Sequence, residues 1–321
     1  YLLIVIMLLV CFTCTKKFEQ EQVQFMSNDE IKAHFDMYKD PKFQAMSDAQ
    51  DLDDEAYDRK LDTIDDLDLF FEGTMGNANG PEPQFQDVDV PVYTDIRACD
   101  TSIKKQWNGT CTTFGLVAAI ENKLCNPYAL NLSERDSWHW YRKYSCSSAI
   151  TALSGNKVCD EQNWPQDNVR AYTTCKENRH AWLVKSTYIA KDVQRAKVAL
   201  SLGNPVYLGI ATPYDMLKCR AVISPKSKPT DGGHAILIVG HRDDEEVLGG
   251  GYFTIKNSWG EYCGDHGYQY VPYYYIQNTK WARMWTIDEV RSNRKEGPTP
   301  NPVKCKRMWW CAWMCKRCWS E

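Results

Sequence analysis

Several signals are missing from this sequence, and each absence excludes a class of function. There is no glycine-rich phosphate loop, so nucleotide-dependent transfer has no cradle to act in. No pair of carboxylates stands out as a general acid and base. The body has no basic face: 38 Lys and Arg stand against 42 Asp and Glu, a net charge of -4. Nucleic acid is therefore not expected as a partner. Histidine is scarce, with six in the chain. Five of them, His34, His139, His180, His241 and His266, fall in no ligand-like constellation, so neither a metal nor an organic cofactor is expected. No internal repeat of 20 residues or longer is visible.

Long hydrophobic runs are also absent, with one short exception. YLLIVIMLLVCFTC is apolar throughout, yet falls short of the roughly 20 residues a bilayer crossing needs. Followed by Lys16 and Lys17, residues 1-15 read as a signal-peptide core. Were further apolar residues to precede Tyr1, the same stretch would be a membrane anchor. Cys14 in FTCTKK offers a third reading, an acylated lipoprotein cysteine. What is plentiful is cysteine, at 14. A reducing compartment would have to keep so many thiols free or metal-bound, so the expected location is secreted or otherwise extracytoplasmic.

A chain of 321 residues can bury a sizeable core. Residues 16-87 form an acidic region, either a solvated spacer or a removable pro-segment. Ser27 and Glu30 have the spacing of a capping box, opening a helix through Ile31, His34 and Met37. Gly76, Gly80, Pro81 and Pro83 break the chain and place a boundary near position 85. Residues 88-291 then read as globular. Phe114, Val117, Ala118 and Leu124 fall near one face of a helix that begins at Cys111. Ser133 caps a second helical segment carrying Leu132, Trp138, Trp140 and Tyr144. HAILIVG and GYFTIKNSW read as strands. Helices first and strands later predict an α+β body with two unlike halves. Residues 292-303 form a Pro-rich linker. The tail, 304-321, is rich in Cys, Trp and basic residues.

Three separate clusters carry chemistry. Cys111 follows Gly109-Thr110 and opens a helix, where partial positive charge and unpaired N–H groups stabilise a thiolate. Taken alone, a cysteine there is as compatible with a structural role. His234 follows two glycines in DGGHAILIVGH, which fits either a histidine at a cleft edge or a buried strand-end side chain. Asn257 ends a strand before Trp259 in IKNSWG. Its amide can orient an imidazole without adding charge, or can simply cap a turn.

The order and separation of these segments resemble papain-like cysteine peptidases, in which His and Asn follow the Cys by roughly 120–150 residues. VPVYTDIR from Val90 resembles the start of the mature domain. KVCDEQNWP around Trp164 and GNPVYLGI after Gly203 resemble the bacterial-type branch, which tolerates Thr112 after the nucleophile. The resemblance implies a two-subdomain α+β fold, helical on one side and β-barrel-like on the other, with a cleft between. It implies Cys111 as nucleophile, His234 as general acid/base and Asn257 as the group orienting it, with Trp259 shielding the pair. The reaction implied is endopeptidase cleavage of polypeptide substrates through a thioester, by a monomer made as a zymogen.

The oxyanion hole would be the Cys111 backbone N–H and a glutamine. The family pattern puts that glutamine six residues before the nucleophile, where this chain has Lys105. Gln106, one residue closer, takes its place if the loop is shorter; otherwise the hole is weakened or Lys105 serves as a cationic donor. The cysteine many relatives carry three residues before the nucleophile is Asn108 here. Asn108 and Asn131 head glycosylation sequons, and sugar on Asn108 would crowd the cleft. Gly233, just before the histidine, offers no acidic selector.

Seven further cysteines lie in the body: Cys99, Cys125, Cys146, Cys159, Cys175, Cys219 and Cys263. Cys146 with Cys159 is one local candidate pair, although spacing does not fix connectivity. Cys305, Cys311, Cys315 and Cys318 in the tail could form two disulfides or hold zinc. The tail's tryptophans and basic residues would also suit a membrane surface. The rival to an enzyme is a catalytically silent papain-like scaffold that binds proteins or membranes. Transfer of the acyl group to an amine instead of water is a third option.

Overall fold

Helices occupy the first half of the body and strands the second, as their order in the sequence predicts. The computed structural model describes residues 23-47, 59-60, 63 and 89-293, apart from 108, 126-129, 167-174 and 177. The leader, the break near position 85, most of the linker and the Cys/Trp-rich tail lie outside the described residues, as does Asn108. Among the described residues, no helix is long and apolar enough to cross a membrane.

The body holds a central helix, Cys111–Leu124, flanked by Glu134–Tyr141 and Cys146–Leu153. Ser133 caps the second of these, its side chain accepting from the Asp136 N–H at 3.1 Å. Strands β1 (Tyr93–Asp95), β2 (Lys157–Val158), β3 (His180–Ala190) and β4 (Val206–Pro213) are followed by β5 (Pro229–Asp243), β6 (Gly251–Lys256), β7 (Tyr268–Pro272) and β8 (Ala282–Ser292). They form one antiparallel sheet in the order β2-β3-β8-β4-β5-β6-β7, with β1 paired to β5.

Alternation along the central strands joins the two halves. Ala235, Leu237 and Val239 of β5 and Tyr207 of β4 pack with the central helix around Leu116, Val117 and Ile120. Their neighbours Ile236, Ile238, Val206, Leu208 and Ile210 pack into a second core with Phe253, Val271 and Met284. A strand buried on both faces is apolar without interruption, which is why HAILIVG shows no alternation. Each fully buried Ile or Leu contributes about 1.5–3 kcal/mol. The two cores make this the α+β architecture with two unlike halves.

Three disulfides staple the body: Cys99–Cys125, Cys159–Cys175 and Cys219–Cys263. This corrects the pairing of Cys146 with Cys159. Cys146 is a buried free thiol at the start of its helix, inside the core under the central helix. Cys159 instead lies in a small satellite cluster with Trp164 and Cys175.

The capping box at Ser27 and Glu30 is present, and the helix Asn28–Met37 follows it. Its buried face is Ile31 and Phe35, one turn apart, while His34 and Met37 are exposed. These two side chains meet Val222, Val247, Tyr252 and Tyr270 on the body. Tyr38 donates its hydroxyl to the Val222 carbonyl at 3.0 Å.

β5 carries a second histidine. His241 is fully buried beside Tyr273 and Asp243, and burial lowers its pKa from 6.5 to about 4, with Asp243 opposing the shift. The unfolded chain therefore takes up a proton near pH 6.5 that the folded chain refuses until about pH 4. Stability present above pH 6.5 is lost as the pH falls through that window. Thermal denaturation between pH 7 and 4 should show a falling Tm, and His241→Gln should flatten the slope.

Candidate active site

Cys111 is the first residue of the central helix and is fully buried and unbridged. Thr110 precedes it as N-cap without a side-chain cap bond, and the first turn holds no acidic residue. The positive end of the helix dipole is thus uncompensated by any carboxylate of that turn. One turn on, Gly115 sets the spacing between helix and sheet. A Cβ there would lie 2.9 Å from Tyr207 Cε2 and 3.1 Å from the Ala235 carbonyl oxygen. Only a residue without a side chain allows this approach. It brings the helix against β5 at the residue after His234, about 6 Å along the helix from Cys111.

His234, Asn257 and Trp259 come together. The His234 Nε2 lies 2.9 Å from Asn257 Oδ1, which also accepts the Ser258 N–H at 2.7 Å. An oxygen at that position requires Nε2 to carry the proton, which makes Nδ1 the basic nitrogen. Nδ1 is buried and makes no hydrogen bond among the described residues. The Trp259 ring stacks on the imidazole with centroids 4.3 Å apart and planes 9° from parallel. His234 is fully buried, and desolvation lowers its pKa from 6.5 to about 4, with the Asn257 bond opposing the shift. The ring in this state is neutral.

Gln106 is buried and Lys105 is not. Gln106 donates its N–H to the Ser258 carbonyl at 2.7 Å, and its Oε1 accepts from Ser258 Oγ at 2.6 Å. That contact turns the side-chain NH2 edge away from Ser258. Lys105 is exposed, with its ammonium 5.5 Å from the Tyr262 ring. Lys104, half-buried, anchors the segment by pairing with buried Glu134 at 2.6 Å and buried Glu121 at 3.3 Å.

Residues upstream of the body also reach this region. Arg59 is buried and donates Nε to the Leu217 carbonyl, and Lys60 lies 3.3 Å from Asp231. Thr63 is packed on Gly232: a Cβ on that glycine would fall 3.0 Å from the Thr63 Cβ. Strand alternation puts Gly232 and His234 on one face of β5. Nothing in the acidic composition of residues 48-72 marks out these three positions. Gly115 had one visible cue, a glycine inside a helical pattern. Gln269, which accepts from Asn257 Nδ2 at 2.7 Å, had none.

One trio among the described residues has ligand-like proximity, Asp136 with Cys159 and Cys175. Its two sulfurs are joined as a disulfide, and Asp136 is engaged by the Cys159 N–H and Arg179. It is not a metal site.

Comparison with known proteins gives a consistent result. The family described as papain family cysteine protease matches residues 90-286. A peptidase C1-like protein of Acanthamoeba polyphaga mimivirus is 29% identical over 176 residues, covering 49% of this chain and 55% of the viral protein. Fruit bromelain of Ananas comosus is 24% identical over 206 residues, covering 59% and 57%. The chain thus spans a little over half the length of these relatives. Among solved structures, xylellain, a cysteine protease from Xylella fastidiosa, superposes with a TM-score of 0.52 at 23% identity, covering 63% of this chain and 87% of its own. The ragweed pollen cysteine protease Amb a 11, in its proform, gives 0.56 at 16% identity, covering 85% and 98%. At these identities the structures speak for the fold alone.

Proposed function

The chain belongs to the papain family of cysteine proteases, and from that premise we propose that it is a cysteine endopeptidase held latent by residues 16-87. The observation that carries this reading is the ordered imidazole: His234 bonded to Asn257 under Trp259, on the strand that the Cys111 helix touches.

Catalysis begins when Nδ1 of His234 takes the Cys111 proton. The thiolate attacks the carbonyl carbon of a peptide, and the imidazolium donates its proton to the leaving amine. A water then gives its proton to Nδ1 and attacks the thioester, which returns the thiol. Asn257 keeps the ring in the tautomer both steps need. The oxyanion is met by the Cys111 N–H and the NH2 edge of Gln106; one such donor is worth about 10²–10³ in rate. Gln106, not Lys105, fills this role because it is the buried one.

Latency follows from the same contacts. Thr63 covers the His234 face of β5 at Gly232, Arg59 and Lys60 contact Leu217 and Asp231, and the Ile31–Phe35 face packs the upstream helix on the body. While the imidazole is desolvated it stays neutral, and the thiolate–imidazolium pair is disfavoured. Withdrawal of the segment would readmit water and substrate together. Three disulfides in the body fit an oxidising, extracytoplasmic compartment.

A thiol-directed epoxide tests the reading on chains whose upstream segment has been cut by an added protease, so that wild type and variant are compared in the same form. Labelling should be confined to Cys111 and fall by at least tenfold in His234→Ala, which has no base to generate the thiolate. Absence of labelling in the wild-type chain would favour the silent scaffold.

A further inference from the structure

Behind Asn257 the polar chain continues in one direction. The Asn257 Nδ2 donates to Gln269 Oε1 at 2.7 Å. Gln269 in turn donates Nε2 to the Arg220 carbonyl at 2.7 Å, with the Met216 carbonyl at 3.5 Å. Gln269 is fully buried and Asn257 nearly so, leaving no water to substitute for either partner.

We propose that Gln269 is a positioning residue for peptide hydrolysis, acting through Asn257 to fix the tautomer of His234; this rests on the catalytic reading above. A backbone carbonyl only accepts, so the NH2 of Gln269 must face Arg220 and Met216. Its Oε1 is then committed to Asn257, whose NH2 must turn toward it. Asn257 Oδ1 is left facing the imidazole and the Ser258 N–H. Each orientation follows from the one before it, starting at a carbonyl that cannot reverse. The proton therefore sits on Nε2, and Nδ1 is kept as the base.

The starting point is itself well held. Arg220 follows Cys219, which is bridged to Cys263, and the Arg220 side chain pairs with buried Asp215 at 2.9 Å. The Cys219 carbonyl accepts the Gly264 N–H, which ties this turn to the loop after Asn257. An Asn257 amide turned the other way would set its NH2 against the Ser258 N–H and its oxygen against Gln269 Oε1. With Gln269 removed, the Ser258 N–H alone opposes that turn, and the opposite tautomer, with Nδ1 protonated, becomes accessible. That tautomer has no base facing the thiol.

The test is a double-mutant cycle on the full chain after activation. Gln269→Met, of similar length and apolar, should lower kcat by about tenfold with KM unchanged. In an Asn257→Ala background the same substitution should change kcat by less than twofold, because the group it acts through is gone. Nitrogen NMR of the histidine rings in the latent full-length chain, where the imidazole is neutral, supplies a readout that packing damage alone does not move: the wild-type His234 should report a proton on Nε2, and Gln269→Met a mixture of tautomers. Gln269→Leu, also apolar and without an acceptor for Asn257, is read by the same cycle if the methionine variant does not fold. An equal loss in both backgrounds, or an unchanged kcat with the Nε2–H tautomer retained, would overturn the proposal. Epoxide labelling of wild-type Cys111 separates the two ideas: a labelled wild type with additive Gln269 losses sinks this inference alone, and an unlabelled wild type sinks the catalytic reading.

Discussion

Replacing Cys111 by alanine should abolish peptide hydrolysis, with kcat/KM falling by roughly 10⁴-fold or more. That corresponds to about 5.5 kcal/mol of transition-state stabilisation. The loss is large because the helix end offers no other thiol, and the neighbouring Thr110 and Thr112 hydroxyls are donated to the Trp107 and Lys143 carbonyls. What survives is binding and oxyanion stabilisation by Gln106 and the backbone. Side-by-side incubation of full-length wild type and Cys111→Ala reads the same event by size. The wild type should shorten as the acidic segment leaves, and the variant should not. Cys146→Ala is the control. Cys146 is also free and buried, but burial pushes its thiol far above the usual range, so it has no thiolate to offer. Its variant should keep activity within a factor of two. Hydrolysis retained by Cys111→Ala would show that Cys111 is not the nucleophile; no hydrolysis by the wild type would return the chain to the scaffold reading.

Gly115→Val should have the next largest effect, without touching a reacting atom. Its Cβ would stand 3.1 and 3.2 Å from the Ala235 carbonyl oxygen and carbon, which are backbone and cannot swing aside. β5 is pinned there by pairing with β4, Ala235 opposite Gly209. Tyr207 cannot give way cheaply either, since its hydroxyl bonds the Thr112 carbonyl at 2.7 Å. The helix must therefore retreat, carrying Cys111 with it. Overpacking of this kind costs about 1–3 kcal/mol of stability. A displacement on the order of 1 Å between reacting groups costs about 10²-fold in rate. Thermal denaturation and kcat/KM measured together check both. Wild-type values for both would show that this contact does not set the position of the cysteine.

The parts of the fold legible in advance are those written in short stretches of chain. Ser27 with Glu30, Ser133 before its helix, and the apolar runs of β5 and β6 each act over a few residues. Local spacing can therefore encode them. Even there, the spacing did not say which face is buried, and the structure buries Ile31 and Phe35 while His34 and Met37 are exposed. Which stripe is buried depends on the surface it meets, here Val222 and Tyr252, distant in the chain. The disulfides show the same limit. Cys146 and Cys159 are close in sequence, yet their side chains enter different clusters.

The candidate site divides along the same line. Cys111, His234, Asn257 and Trp259 stand out because each sits in a short pattern whose chemistry is readable from residue type and order. The choice of Gln106 over Lys105 was open in the sequence. What supports Gln106 is its burial against Ser258, 152 positions downstream, while Lys105 is exposed. Gly115, Gln269 and Thr63 matter only through what they touch: a strand backbone, an amide and a glycine on other elements.

By itself, then, the sequence determined which chemical groups the chain possesses and which local segments it folds into, because those depend on neighbours a few bonds away. Tertiary structure alone decided which sulfurs pair, which amide is buried and which way each amide points. Those outcomes are set by packing and hydrogen bonding between residues distant in the chain, and no local pattern carries that information.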